Sequence, residues 1–288
     1  MRRLVQITII FLAPIAVFAA LVGLDRAFGG QGRGRDYVIR LNLPPPAGEV
    51  GLPHVEGPLD PSRPLVVIDA GHGGFDPGAG TGSLKEKALT LSLAKALRDA
   101  LLAHGGIRVA LTRDDDRYLL LPERAGIARR LKADLFISIH ADSAPNSGAS
   151  GGTVYTLSDR GSSQTAARLA DAENRADTVN GVQLSGLSNS VNAILVELSQ
   201  RETAAASADF AQLILREGEG KLRFKDRSIQ SAAFVVLKSA DLPSILFEAG
   251  YISSPDDAGW LHSQEGKQAF ADATAQAIRV YFARHQPG

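Results

Sequence analysis

The chain has 288 residues, 44% of them hydrophobic and 22% charged, with a formal net charge of zero. That length holds one large domain with an appendage or two small ones, and the even charge gives no global pull toward nucleic acid or an anionic surface, so no nucleic-acid partner is expected. With no cysteine in the chain, thiol nucleophiles, disulfides, iron–sulfur clusters and cysteine-ligated zinc are excluded, and any metal must rest on nitrogen and oxygen ligands.

Arg2 and Arg3 precede an apolar run from Val5 to Leu24, broken only by Gln6, Thr8, Pro14 and Gly23. This pattern over residues 1–28 reads as a signal peptide or as an uncleaved membrane anchor, since the run is about as long as one bilayer span requires. The basic residues hold that end in the cytoplasm and send the rest across. Residues 29–62 are rich in glycine and proline, Pro44–Pro45–Pro46 among them, and read as an extended tether.

From residue 63 strands and helices alternate. Leu65–Ala70 (LVVIDA) is a continuous apolar run, as expected of a strand buried on both faces. Glu86–Ala103 is expected to be helical, with Leu89, Leu93, Leu97 and Leu101 on one face. A strand over Ile107–Thr112, a helix over Pro122–Leu131 and strands over Leu135–Ile139 and Thr153–Leu157 follow. After an excursion over 160–227, expected to contain three helices, come strands at Ala233–Leu237 and Ser244–Phe247 and a closing helix over Lys267–Ala283. The pattern predicts an α/β domain with a mostly parallel central sheet flanked by helices and a helical insertion at 160–227.

In such sheets ligands bind beyond the carboxyl ends of the strands. The first strand ends in Gly71–His72–Gly73–Gly74, the third in His140–Ala141–Asp142 and the last in Glu248–Ala249–Gly250, while Glu86 opens the first long helix. His72, Glu86 and His140 make a ligand set of the kind a catalytic zinc takes, two imidazoles and a carboxylate with one position left for water. Glu248 is placed to take a proton from that water and to pass it to a leaving amine. Asp76 and Asp142 suit roles behind the ligands. Each piece alone also suits a structural role: a histidine after a strand often serves a hydrogen bond, and a glutamate at a helix start serves the dipole. The metalloprotease signature HExxH is absent, and the glycine loop does not match GxGxxG. Asp114–Asp115–Asp116 reads as a solvated turn.

Four segments, VVIDAGHGGFDPGA (66–79), Lys85–Glu86, LFISIHAD (135–142) and LPSILFEAGYISSPDD (242–257), resemble the zinc-dependent N-acetylmuramoyl-L-alanine amidases of the cell-separation AmiA/AmiB/AmiC type. The resemblance runs from Leu65 to the C-terminus. It implies one zinc ion on His72, Glu86 and His140, Glu248 as the catalytic glutamate, and hydrolysis of the amide between the lactyl group of peptidoglycan and L-alanine. It implies that Glu173, within ADAENRAD (170–177), caps the metal and holds the enzyme off, and that the helical region 188–216 receives a LytM-type activator protein. The export signal then implies a periplasmic location and a role in wall remodelling and daughter-cell separation. Two features depart from the pattern: the wall-targeting domain often found before this catalytic domain is replaced by the tether, and Ser254 stands where many relatives carry asparagine.

Two other readings share these residues. An exported zinc peptidase acting on stem peptides would use the same chemistry. A silent wall-binding module would be expected to lack a ligand or Glu248, and all four positions are filled.

Overall fold

The computed structural model describes residues 51–80, 84–143, 149–179, 182–183, 193–239 and 241–285. The export segment at 1–28 and the tether up to residue 50 lie outside the described residues. Among the described residues no helix is long and apolar enough to cross a membrane.

The elements in chain order are β1 (Leu65–Ala70), α1 (Glu86–His104), β2 (Arg108–Leu111), α2 (Leu121–Arg130), β3 (Leu135–His140), β4 (Gly152–Leu157), α3 (Gln164–Asn174), a short β5–β6 ribbon (Thr178–Val179, Val182–Gln183), α4 (Ala193–Gly218), β7 (Phe224–Ala232), β8 (Ser244–Glu248), α5 (Pro255–His262) and α6 (Gln264–His285). Six strands form one sheet in the order β2-β1-β3-β8-β4-β7. All neighbours are parallel except β4 and β8, which run antiparallel. The sheet is therefore mixed but mostly parallel, as the alternation predicted. β1 and β3 are buried at every position, because helices cover both faces.

Alternate strand residues feed two cores. Val66, Ile68, Leu135, Ile137 and Ile139 pack with Leu89, Leu93 and Leu97 of α1, Phe210 and Ile214 of α4, and Phe270 and Ile278 of α6. Val67, Phe136, Leu246 and Tyr155 pack on the other face with Ala128 of α2, Ala166 and Leu169 of α3, and Phe234 and Leu237. The end of the tether region touches this body: Glu56 and Val109 exchange backbone hydrogen bonds of 2.8 and 2.9 Å at the free edge of β2.

Three expectations are corrected. Ala233–Leu237 is not a strand; Val235–Leu237 is one turn of 3-10 helix, with Val236 and Leu237 buried in the second core. The edge strand is instead β7, whose charged and half-exposed residues concealed it. The two helices expected after residue 190 are one, α4, since no glycine or proline interrupts residues 193–217. α5 was not anticipated; Ser254 Oγ accepts the Asp257 N–H at its start and Pro255 opens its first turn.

Candidate metal centre

From β1 the chain passes to β2 on one side, and β3 returns on the other. The strand order thus reverses between β1 and β3, where a crevice opens beyond the strand ends. His72 and His140 come from those two ends. Register does the rest: His140 lies opposite Glu248 on parallel neighbours.

Among the described residues His72 is one of two non-glycine residues with positive φ, at 60°, a conformation that costs energy and persists only when its surroundings hold it. Here Arg124 Nη2 donates to the His72 carbonyl at 2.8 Å, and His72 Nδ1 bonds to Asp76 Oδ2 at 2.7 Å. Nε2 is thereby turned inward. Glu86, at the start of α1, accepts the Ala79 N–H at Oε2 (2.8 Å) and the Ala141 N–H at Oε1 (2.9 Å). Its carboxylate is held between the two rings, Oε2 at 3.1 Å from His72 Nε2 and Oε1 at 3.2 Å from His140 Nδ1. Glu173, at the end of α3, brings Oε2 to 3.4 Å from His72 Nε2 and 3.2 Å from His140 Nδ1.

Close approach requires glycine at two places. A Cβ on Gly71 would lie 2.5 Å from His140 Cε1, and one on Gly78, at φ 65°, would lie 2.6 Å from His72 Cδ2 and 2.7 Å from Glu86 Oε2.

Donor atoms of His72, His140 and Glu173 lie within 4.8 Å of one another. Among the described residues His72 Nε2, Glu173 Oε2 and Glu248 Oε1 are buried without a hydrogen bond. His72 Nε2 and Glu173 Oε2, 3.4 Å apart yet lacking hydrogen-bond geometry, are arranged as donors that share an ion rather than a proton, and buried charges persist only when paired or coordinating. The donor set fits a divalent metal of the zinc type. The electrostatics agree. Burial works against a charged His72 ring, yet Glu86 and Glu173 hold its proton affinity well above the ordinary value. Burial works against an ionised Glu86, but His72 and His140 keep it well below the usual carboxylate range.

Glu248 stands apart from these donors. Its Oε2 accepts the Asp142 N–H at 2.8 Å and Oε1 is free of hydrogen bonds among the described residues. Burial first, then Asp142, Glu86 and Glu173, push its proton affinity well up. Asp142 is itself pushed up to about 7, mainly by burial, with Glu173 and Glu86 adding.

The structure therefore brings His72, Glu86, His140 and Glu173 together, places Glu248 at the adjoining strand end, and sets Asp76 behind His72. The support beneath has no sequence signature. Arg113 and Arg124 are fully or nearly fully buried and donate to the carbonyls of Ala70, Gly71 and His72, clamping the turn that presents His72. Asp116, within the exposed acidic turn, accepts from Gly74 N at 2.9 Å and Lys87 Nζ at 2.6 Å.

The family model described as N-acetylmuramoyl-L-alanine amidase matches residues 66–280. The chain belongs to that amidase family. N-acetylmuramoyl-L-alanine amidase AmiA of Escherichia coli K12 is 39% identical over 220 residues, 76% of each chain. AmiC of E. coli O6:H1 is 36% identical over 225 residues, which span 77% of this chain and 54% of AmiC. The solved structure of amidase AmiC2 of Nostoc punctiforme, 31% identical, matches with a TM-score of 0.55 over 77% of this chain and 98% of that one. The amidase motifs of the sequence and the cluster at the β1–β3 crevice thus belong to one cell-wall amidase domain.

Proposed function

We propose that this amidase cleaves the lactyl–L-alanine amide of peptidoglycan with one zinc ion held by His72, Glu86 and His140, that Glu248 moves the proton, and that Glu173 keeps the enzyme off until an activator displaces it. The observation that carries this reading is the convergence of one Glu86 oxygen on each histidine, with Glu173 Oε2 within 3.4 Å of both rings.

Zinc bound there supplies a Lewis acid that polarises the substrate carbonyl and lowers the pKa of a water. The chain supplies the rest. Asp142 N–H fixes Glu248 Oε2, so Oε1 faces the reacting groups. Water adds to the amide carbon as Glu248 Oε1 takes its proton; the C–N bond then breaks and the same oxygen delivers that proton to the L-alanine nitrogen. The raised proton affinity of Glu248 suits it to hold the proton between the two steps. Arg113 and Arg124 keep the His72 turn in its strained form throughout.

The reading of Glu173 as a cap is supported by space. The cavity between Glu173 and the two histidines, lined also by Tyr118 and Arg124, is about 10 Å³, room for at most one water on that side of the donors. On this reading the helix carrying Glu173 moves aside when a muramoyl peptide enters, and a ligand that prefers the open arrangement shifts that balance. A LytM-type activator at the helical region 188–216 is the proposed ligand. α4 supplies residues 193–216 of that region, and 188–192 lie outside the described residues. The basic N-terminal run and a wall substrate together propose a periplasmic enzyme, exported on a signal peptide or held by an anchor.

The test is digestion of purified sacculi with product analysis. The amidase reading expects intact stem peptides with a free L-alanine amine, loss of activity with chelator, and faster digestion by Glu173→Ala without activator. Cuts within the stem peptide would favour the zinc-peptidase reading, and full activity of metal-stripped protein would end the metal mechanism.

A further inference from the structure

The reacting centre is acidic: Glu86, Glu173, Glu248 and Asp142 gather at one end of the sheet. The stem peptide of peptidoglycan is acidic too, with free carboxylates on residues beyond L-alanine. Such a substrate needs a cation that the protein has not already committed. Lys87 is paired with Asp116 at 2.6 Å and Arg124 with Asp69 at 2.9 Å. Lys225 differs. It is half-buried on β7, its Nζ lies 2.6 Å from Tyr251 Oη and 4.7 Å from that ring's centre, and among the described residues it pairs with no carboxylate. Holding an ammonium against a neutral phenol restricts its hydration without supplying a counter-charge.

Topology places this cation within reach of the chemistry. β4 lies between β8 and β7. Its Thr153 is opposite Glu248 and its Gly152 opposite Phe224, the residue before Lys225. Phe224 therefore stands two strand spacings from the Glu248 backbone, roughly 10 Å across the sheet, and Lys225 follows it where the β4–β7 register shifts, Val154 pairing next with Ile229. Tyr251 lies between them on the loop after β8, tied down by Tyr251 N to Asp257 Oδ2 at 3.0 Å and by its neighbour Ile252 N to Asp142 O at 2.8 Å. An extended peptide advances about 3.5 Å per residue, so the two or three residues after the scissile amide cover that reach.

We infer that Lys225, steadied by the Tyr251 ring, is a specificity-determining residue that binds a free carboxylate on the second or third residue of the stem peptide. This rests on reading His72, Glu86, His140 and Glu248 as the reacting centre. The experiment uses soluble muramoyl peptides in which each carboxylate is replaced in turn by a carboxamide. Turnover is measured with the full chain, with and without Glu173→Ala, as parent, Lys225→Met and Lys225→Arg; binding is measured with the same Lys225 changes on the full-length Glu173→Ala, Glu248→Gln double variant. Lys225→Met is expected to raise KM and Kd for the all-carboxylate peptide about tenfold, to leave kcat within about twofold, and to leave one of the carboxamide peptides unaffected; Lys225→Arg restores most of the loss. A Lys225→Met effect equal on every peptide is a structural effect and overturns the proposal, as does no effect on any. Binding selectivity without turnover in any variant would count against the reacting centre while upholding Lys225.

Discussion

The Tyr118 hydroxyl lies 2.8 Å from Asp177 Oδ1 and 3.1 Å from the Ala176 carbonyl, so a residue lining the cavity beside His72 and His140 also pins the turn that follows Glu173. Asp177 is buried and its two oxygens also take the Leu121 N–H at the start of α2. A single carboxylate thus fastens the segment carrying Glu173 to the opposite wall of the crevice. Tyr118→Phe removes the hydroxyl that is shared between Asp177 and the Ala176 carbonyl and leaves the ring packed against Phe75. One hydrogen bond contributes about 1 kcal/mol, which shifts a two-state balance roughly fivefold. Basal digestion of sacculi without activator is expected to rise several-fold, with cleavage by a trace protease appearing near residues 160–180. A variant that is less stable yet no faster would show that this tie has no part in holding Glu173.

Gly71 permits the approach of His140, and its replacement reports on that approach. The added methyl of Gly71→Ala would meet ring atoms at 2.5 to 2.8 Å, so the imidazole must turn. Displacements behind or beside a ligand typically cost 10- to 100-fold in metal affinity. Zinc affinity measured by competition with a chromophoric chelator is expected to fall by about that much, with the metal-free protein folded as before. Unchanged affinity would mean that His140 tolerates another rotamer or does not ligate.

Asp69 gives a pH dependence of stability with a definite sign. Its side chain is fully buried and accepts from Arg124 (2.9 Å), Thr112 (2.6 Å) and Ser138 (2.7 Å). Burial favours its neutral form, but Arg124 and the two hydroxyls outweigh burial and hold its pKa below the ordinary value. A carboxyl depressed on folding contributes stability that is fully present above its unfolded pKa of about 3.9 and is lost as pH falls through the lower folded value. Melting temperatures of the parent should therefore drop more steeply below about pH 4 than those of Asp69→Asn. Arg124→Met, which leaves Asp69 buried without its partner, is expected to cost about 3–5 kcal/mol at neutral pH. Parallel acid profiles for parent and Asp69→Asn would refute the assignment.

What could be read from the sequence follows from burial. β1, β3 and β8 lie where both faces are covered, so LVVIDA, LFISIH and SILFE stand out as apolar runs, and the residues that end them, His72, His140 and Glu248, could be located at once. β7 is an edge strand, and FKDRSIQSA shows water the same face that a loop would. The run AFVVL imitates a strand because an apolar turn can bury its side chains without joining a ladder. For α5 the signal lies in Ser254 followed by Pro255, Asp256 and Asp257, a cap and an acidic first turn. Arg113 and Arg124 carried no signal, because an arginine that serves three backbone carbonyls is recognised only by where those carbonyls are. Glu173 is indicated by family resemblance alone, since nothing in the periodicity of α3 distinguishes a residue facing the two histidines from one facing water.

Ligand and proton carrier are separable by one pair of measurements. A metal that binds the folded chain alone stabilises it by mass action, by about 4 kcal/mol at a thousandfold excess over Kd. For a domain of this size that is a rise in Tm on the order of 10 °C. His72→Ala and Glu86→Ala remove donors that face each other at 3.1 Å and are expected to abolish most of this zinc-dependent rise along with activity. Glu248→Gln keeps the acceptor oxygen that takes the Asp142 N–H but cannot shuttle a proton. Its Tm rise with zinc should match the parent's while digestion of sacculi falls by about 10²–10⁴. If Glu248→Gln lost the zinc-dependent rise as well, Glu248 would be a ligand rather than the proton carrier, and the roles assigned at the ends of β3 and β8 would have to be exchanged.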